Sequence, residues 1–356
     1  MSFGPRLRQL PTVRPNPSLN ADVPHARLRP RSGPPVSLFH WASMSPLKNG
    51  MEMNTPLLRR LAFAAVVLLV LPSCGPRQGR EGVAPHPAPG YVAFGEPRRV
   101  TIRGYNDDAM EPFITKNGRY LLFNNRNNPR LNTNLHFAER VDDLTFDYRG
   151  ELKGVNTPAL EGVPSLDREG NLFFISTRSY PETLSTLYRG RFSDGTVSGV
   201  ELVTGVSRRQ LGIVMFDAEI SADGSTLFVV DGEFSGGPNP KTADIVIAVR
   251  DGGGFRRLLS SAELLKNVNS KALEYAPAVS SDMLELFFTR AGDLSGSAQP
   301  VIFRAVRRRT EEPFGMPERV IAITGFVEAP TLSGDGRSLY YHKLEGARFV
   351  IYRVAR

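Results

Sequence analysis

The sequence predicts an all-β chain, a five-bladed β-propeller. Three observations carry the prediction: a phrase repeated five times, an interval that suits a four-stranded blade, and a spare N-terminal strand where the last repeat lacks one. The phrase reads EPFITKNGRYLLF from Glu111, VPSLDREGNLFF from Val163, DAEISADGSTLFV from Asp217, APAVSSDMLELFF from Ala276 and APTLSGDGRSLYY from Ala329. Its anchors Pro112, Pro164, Ala218, Pro277 and Pro330 lie 52, 54, 59 and 53 residues apart. One small sheet cannot bury both faces alone, so repeats of this length must stack on one another.

Each repeat opens with a short apolar strand and turns at a polar pair such as Asn117-Gly118, Asp223-Gly224 or Asp335-Gly336, where Gly supplies positive φ. The fourth copy has Met283 in place of that Gly, which predicts a different turn there. A second strand follows, as in Leu227 to Val230 or Leu339 to Tyr341. The third strands are NLHFAER from Asn134, TLYRGRF from Thr186, DIVIAVR from Asp244, VIFRAVR from Val301 and FVIYRVAR from Phe349. Outer strands are expected at VELVTG from Val200, FRRLLS from Phe255 and RVIAIT from Arg319. The run from Ser260 to Asn267 breaks the pattern with helix-forming residues and lengthens the third interval. The last copy stops after its third strand, and EPRRVTI from Glu96 is free to complete it, which would remove the open edges. An open sandwich and a six-bladed ring are the alternatives, and no spare segment builds a sixth blade.

The N-terminal part reads differently. Residues 1–52 are rich in Pro, Arg and Ser without a sustained period and read as a disordered or non-native leader, with Met51 or Met53 as the preferred start. Residues 53–73 carry a basic start, the apolar run from Leu61 to Leu71 and then Pro72-Ser73-Cys74, the layout of an export signal. The run is short for a bilayer, which takes about 20 apolar residues. Leu71 to Cys74 resembles a bacterial lipobox, which implies lipidation of Cys74, a membrane contact through the lipid and a place in the bacterial cell envelope, periplasmic or surface-exposed on the outer membrane. Residues 74–95 read as a tether and 96–356 as the propeller. Of 44 Lys plus Arg and 36 Asp plus Glu, 9 and 2 precede Cys74, so the remainder is near charge balance. Without a basic stripe interleaved with aromatics, a nucleic-acid partner is not expected, and Arg307 to Arg309 read as the solvated end of a strand. One Cys permits no internal disulfide, and no Cys/His metal site is present in the pattern.

At the level of the phrase, Ser221-Ala222-Asp223-Gly224 and Ser333-Gly334-Asp335-Gly336 bring the chain close to the WD40-like or TolB-type propeller repeat family, which it resembles over most of residues 96–356. The resemblance implies a periplasmic or surface binding platform. It departs in lacking the second Pro of the family's turn, and family members often have six blades.

Function is expected where inner strands begin and loops converge on the channel. Acids recur there: Glu111, Glu161, Asp217, Glu219, Glu274 and Glu328. They suit sugar hydroxyls or a hard cation such as Ca2+ in the channel, and the bland reading has each capping a turn or pairing with Arg. No other cofactor is predicted. The stretch NDDAMEPFITKNGRYLLFNN from Asn106 is similar to the first blade of five-bladed furanosidases of the arabinanase type, with Glu111 where Asp is expected. That resemblance implies a glycoside hydrolase with Glu111, Asp217 and Glu274 as catalytic candidates, since hydrolysis needs an acid and a second carboxylate. The favoured reading is a lipid-anchored scaffold, without chemistry of its own, that binds an envelope protein or glycan. Its candidate contacts are Asn124, Asn125, Arg126, Glu161, Glu219 and Glu328, with Gly232 to Thr242 and residues 204–215 as further rims. His136 and His342 read as packing or surface residues with no partner pattern.

Overall fold

The computed structural model describes residues 93–126, 133–235, 239–292 and 299–356. The leader, the signal segment, Cys74 and nearly all of the tether lie outside them, as do Asn127 to Asn132 and residues 236–238.

The described chain is all-β, with strands grouped as the repeats predict. In chain order β1 is Arg98–Arg99 and β2 Thr101–Arg103, before β3 Met110–Ile114, β4 Tyr120–Asn124, β5 Leu135–Arg140 and β6 Thr145–Glu151. The second repeat gives β7 Glu161–Leu166, β8 Asn171–Ser176, the single turn α1 Tyr180–Thr183, β9 Leu187–Ser193 and β10 Thr196–Leu202. The third gives β11 Ile213–Ile220, β12 Thr226–Glu233, β13 Thr242–Asp251 and β14 Gly254–Arg257, followed by α2 Ser261–Leu264. The fourth gives β15 Leu273–Val279, β16 Glu285–Ala291, β17 Val301–Val306 and β18 Glu318–Arg319, and the last β19 Val327–Leu332, β20 Ser338–Glu345 and β21 Arg348–Ala355. Within every repeat the strands pair antiparallel with their chain neighbours, so each sheet is a meander. The innermost strands touch in the succession β3, β7, β11, β15, β19 and back to β3.

Between the sheets the strands are apolar on both faces, and the interior is aromatic. Phe113, Phe173, Phe174, Phe228, Phe287, Phe288 and Tyr341 are fully buried, which makes the aromatic pairs of the repeat packing residues. Phe173 meets Phe255 of the third sheet edge-on at 5.7 Å, and Phe146 meets Tyr340 of the last at 6.2 Å. Such edge contacts add about 0.5–1.5 kcal/mol each beyond their area.

Four details differ from expectation. EPRRVTI divides between two sheets: Arg98 and Arg99 pair antiparallel with β21, while Thr101 to Arg103 pair parallel with β6. Met283 adopts φ 59°, and its N–H donates to Ser280 O at 2.8 Å, the bond made by Gly118, Gly224 and Gly336 to Thr115, Ser221 and Ser333. The turn is therefore the shared one, held by a Ser280 hydroxyl bonded to Asp282 as Ser333 is to Asp335. The region from Ser260 is one helical turn rather than a longer helix. Arg307 is buried against the Phe314 ring at 4.3 Å, with Nε donating to Met283 O at 2.9 Å, so it braces that turn instead of standing in solvent.

Candidate functional site

The site grows from a bulge repeated in all five inner strands. Register with the second strand shifts between Met110 and Phe113, Gly162 and Ser165, Met215 and Asp217, Tyr275 and Ala278, and Glu328 and Thr331. A bulge leaves a residue out of the ladder and re-aims it. Where the anchor is Pro, the ring disfavours the right-handed helical region for the residue before it. Those residues take φ 47° at Glu111, 55° at Val163, 49° at Ala276 and 53° at Ala329.

The freed N–H groups are buried and need partners. Each partner comes from another repeat. Asn124 Oδ1 accepts from Val163, Thr289 Oγ1 from Ala329 and His342 Nδ1 from Glu111, each at 3.1 Å. All three acceptors stand 12 residues after their own Pro anchor. In the third repeat that offset falls on Val230, which has no acceptor, and Asp217 Oδ2 takes the Ala276 N–H at 3.1 Å instead.

Glu111, Asp217 and Glu328 are brought together at this level, all buried. Burial pushes the Asp217 carboxyl well above its usual range, and the fields of Glu111 and Glu328 push the same way against the Ala276 N–H, so Asp217 holds a proton into higher pH. Glu328 accepts from the Tyr275 hydroxyl and lies 3.2 Å from His342 Nε2. Because Nδ1 accepts from Glu111, hydrogen-bond logic assigns the neutral ring its proton on Nε2, facing Glu328. Burial opposes charge on His342, yet the bond to Glu328 and the fields of Glu111, Glu328 and Asp108 raise its pKa overall. Burial also drives the Tyr275 phenol far up. The five anchors, Glu111, Asp217 and Glu219 line a cavity of ≈ 30 Å³. That is room for a water or two.

The other acids predicted for the site are held in ion pairs, Glu219 on the wall of the same cavity and Glu161 and Glu274 outside its lining. Glu219 is in a buried ion pair with Lys116 at 3.0 Å and accepts from Ser165 Oγ at 2.7 Å, with Lys116 5.0 Å from the Phe113 ring centre. Glu161 and Glu274 share one structural device. Each carboxylate accepts the N–H and hydroxyl of a residue four positions earlier, Thr157 or Ser270, and an Arg, Arg178 two residues past the end of β8 at 3.1 Å or Arg290 on β16 at 2.6 Å. Each Arg then donates to a main-chain oxygen, of Val155 or Val268, and lies over two rings. Glu274 is therefore drawn into a loop clamp, and Asp244, raised first by burial, senses its field instead.

Of the polar contacts predicted, Asn124 is a fully buried latch. Asn125 Oδ1 accepts the Asn134 N–H at 2.9 Å, and Arg126 is half exposed and pairs with Asp107 at 3.0 Å. His342 and Tyr275 were not legible as site residues from their types alone, although the 12-residue offset shared with Asn124 and Thr289 is a signal for His342. His136 is likewise buried, bonded to Tyr148 at 2.8 Å, and burial lowers its pKa. Among the described residues no group of three or more His, Cys, Asp or Glu is disposed to hold a metal ion.

No protein-family model matches the chain, and comparison with curated proteins finds no match. Among solved structures the chain is similar to a glycoside hydrolase, with 11% identity over 72% of this chain and 89% of that one and a TM-score of 0.51. It is also similar to the catalytic domain of a Coprinopsis cinerea GH62 α-L-arabinofuranosidase, at 9% identity over 74% and 96% with a TM-score of 0.46. A putative TolB from Agrobacterium tumefaciens gives 16% identity over 67% and 71% with a TM-score of 0.38. The likeness at a TM-score of 0.51 is one of fold alone, an all-β fold of propeller type.

Proposed function

We propose that the chain is a ring-closed, five-bladed propeller that hydrolyses a glycoside of furanoside type at the inner-strand carboxylates. The unbroken succession of inner-strand contacts from β3 to β19 and back, the β1 to β21 pairing and the His342 to Glu111 bond support closure in five. The observation that carries the chemistry is the Glu111 and Asp217 pair lining one cavity, with the Asp217 pKa raised by burial first and by the Glu111 field second. A glycosidase needs one carboxyl to protonate the leaving oxygen and another carboxylate to act as base or nucleophile. Asp217 fits the first role and Glu111 the second, while Tyr275 and His342 orient Glu328 beside them. The clamp around Glu274 makes it a structural residue in this reading.

The test is release of aglycone or reducing sugar from aryl arabinofuranosides and arabinan by the full chain. Glu111→Gln and Asp217→Asn should each lower kcat/KM by at least about a thousandfold, a loss in the range expected for a catalytic group, while Glu274→Gln lowers stability and leaves turnover per folded molecule. Turnover indifferent to Glu111 and Asp217, or none on any glycoside, sinks it.

A second reading has its own support. A cavity of ≈ 30 Å³ admits water but no sugar ring, which favours a propeller that binds through its rim. On this account the chain is a TolB-type repeat protein, exported and lipidated at Cys74, that holds an envelope protein or glycan through Asn125, Arg126 and neighbouring loops. Metabolic labelling with a fatty-acid probe that persists in Cys74→Ala would remove the anchor from this reading. Partner or glycan capture unaffected by Arg126→Ala would remove the rim.

A further inference from the structure

We infer that the wedge between the second and third sheets is a binding site for a compact anion, a carboxylate or phosphate carried on a body of sugar size. The inference is independent of any chemistry at Glu111. The cavity there measures ≈ 300 Å³, at the lower end of the volumes that small-molecule sites occupy. Its floor is the buried ring of Phe173.

Three guanidinium groups border this space. Arg189 and Arg191 are two residues apart on β9 and so project from the same face. Arg250 approaches from near the end of β13, with its guanidinium 5.0 Å from the Phe255 ring centre. The same side is continued by β10, the hydrogen-bonded neighbour of β9, whose register against β9 shifts between Ser198 and Glu201 with Gly199 at φ 62°. That bulge breaks the regular cover of the outer strand and leaves Ser198, Gly199 and Glu201 along the cavity.

The charges do not balance. Glu201 engages Arg189 through Nε at 2.8 Å and Nη2 at 2.6 Å. Arg191 has only a long 3.4 Å bond to Asn171 Oδ1, and Arg250 donates Nε to Gly224 O at 2.9 Å. Among the described residues neither Arg191 nor Arg250 is in an ion pair, whereas Arg189 is. The nearby carboxylate of Asp167 already accepts from the Glu169 and Asn171 N–H groups and from Asn171 Nδ2. The wedge therefore carries more guanidinium than carboxylate at a concave surface. A guanidinium offers a planar fork of donors that matches the oxygens of a carboxylate or phosphate, and such charge-assisted pairs are the strong ones. The Ser198 hydroxyl along the cavity suits the hydroxyls of an attached sugar ring.

Titration calorimetry on the full chain tests this with glucuronate, glucose 6-phosphate, inorganic phosphate and neutral glucose as probes. Saturable binding of glucuronate or a phosphate is expected, weakening as salt rises. Arg191→Met and Arg250→Met keep an apolar stem and should each weaken binding by about tenfold, as loss of a bond to a charged group does. Glu201→Gln should tighten it, because the wall loses its opposing charge, and this variant keeps the inference open to failure if an Arg variant does not fold. Preference for glucuronate identifies a carboxylated sugar as the ligand, and preference for glucose 6-phosphate or inorganic phosphate identifies a phosphate; either supports the site. No saturable binding of any anion, equal binding of glucose, or affinities unmoved by all three substitutions overturns it, including the case in which the Arg variants only lower the unfolding midpoint.

Discussion

Replacing Asn124 by Ala should remove the latch between the first and second sheets. Asn124 Oδ1 accepts the Val163 N–H at 3.1 Å, and this N–H has left the strand ladder because Val163 sits in a bulge at φ 55°. Asn124 is fully buried, so no bulk water is there to replace the acceptor. An orphaned buried N–H costs about 1–3 kcal/mol, and the vacated volume adds to that, which puts Asn124→Ala at roughly 2–3 kcal/mol. For a domain of this size such a loss lowers Tm by roughly 5–10 °C. The geometry also names a partner. A Cβ on Gly162 would meet Asn124 Oδ1 at 3.1 Å and Cγ at 3.4 Å, so Gly162→Ala alone overpacks the junction and costs about 1 kcal/mol. In the double variant the new methyl enters the space Asn124 has left. It restores packing but no acceptor, so the double variant should be less destabilised than the sum of the singles by about 1 kcal/mol. Urea unfolding of the four proteins measures this. Additive effects, or an Asn124→Ala loss below about 0.5 kcal/mol, would refute the latch.

Three further outcomes follow from the same structure. Asp217 has a folded pKa raised above its ordinary 3.8, so the unfolded chain binds fewer protons between the two values and stability falls as pH rises through that window; Asp217→Asn should be the more stable protein above the window and lose that advantage below about pH 3.8, and parallel stability curves would contradict it. At Met283, Gly should be more stable than Ala by about 1 kcal/mol in thermal melts, the reverse of the usual order, because both remove the side chain but only Gly relaxes φ 59°. Arg290→Met should cost about 2–3 kcal/mol, less than for a fully buried pair since Arg290 keeps some exposure, because it strands the Glu274 carboxylate; equal stability would show the clamp to be idle.

Much of the architecture was legible because strand patterning is local. The five phrases, their polar turns and the third strands all sit where the alternation of apolar residues and Gly-bearing turns set them. Met283 misled because residue type was read as turn type, when the Ser280 and Asp282 side chains and Arg307 hold the shared turn against the cost of left-handed Met. The N-terminal strand misled because β pairing is non-local: one segment serves two sheets, and neither partner is close in sequence.

The site was less legible than the fold. Acids could be counted near the inner-strand starts, but a carboxylate's role depends on which charge meets it across space. Glu161 and Glu274 meet Arg178 and Arg290, Glu219 meets Lys116, and Glu111 and Glu328 instead set the field felt by Asp217. By itself the sequence determined the repeat, the strand order and the residues that turn each hairpin, since these follow from spacing and local backbone preference. The tertiary structure decided which buried N–H each polar side chain serves, which acid has its pKa raised and where arginines outnumber carboxylates, because these depend on distances between residues that the chain separates by dozens to hundreds of positions.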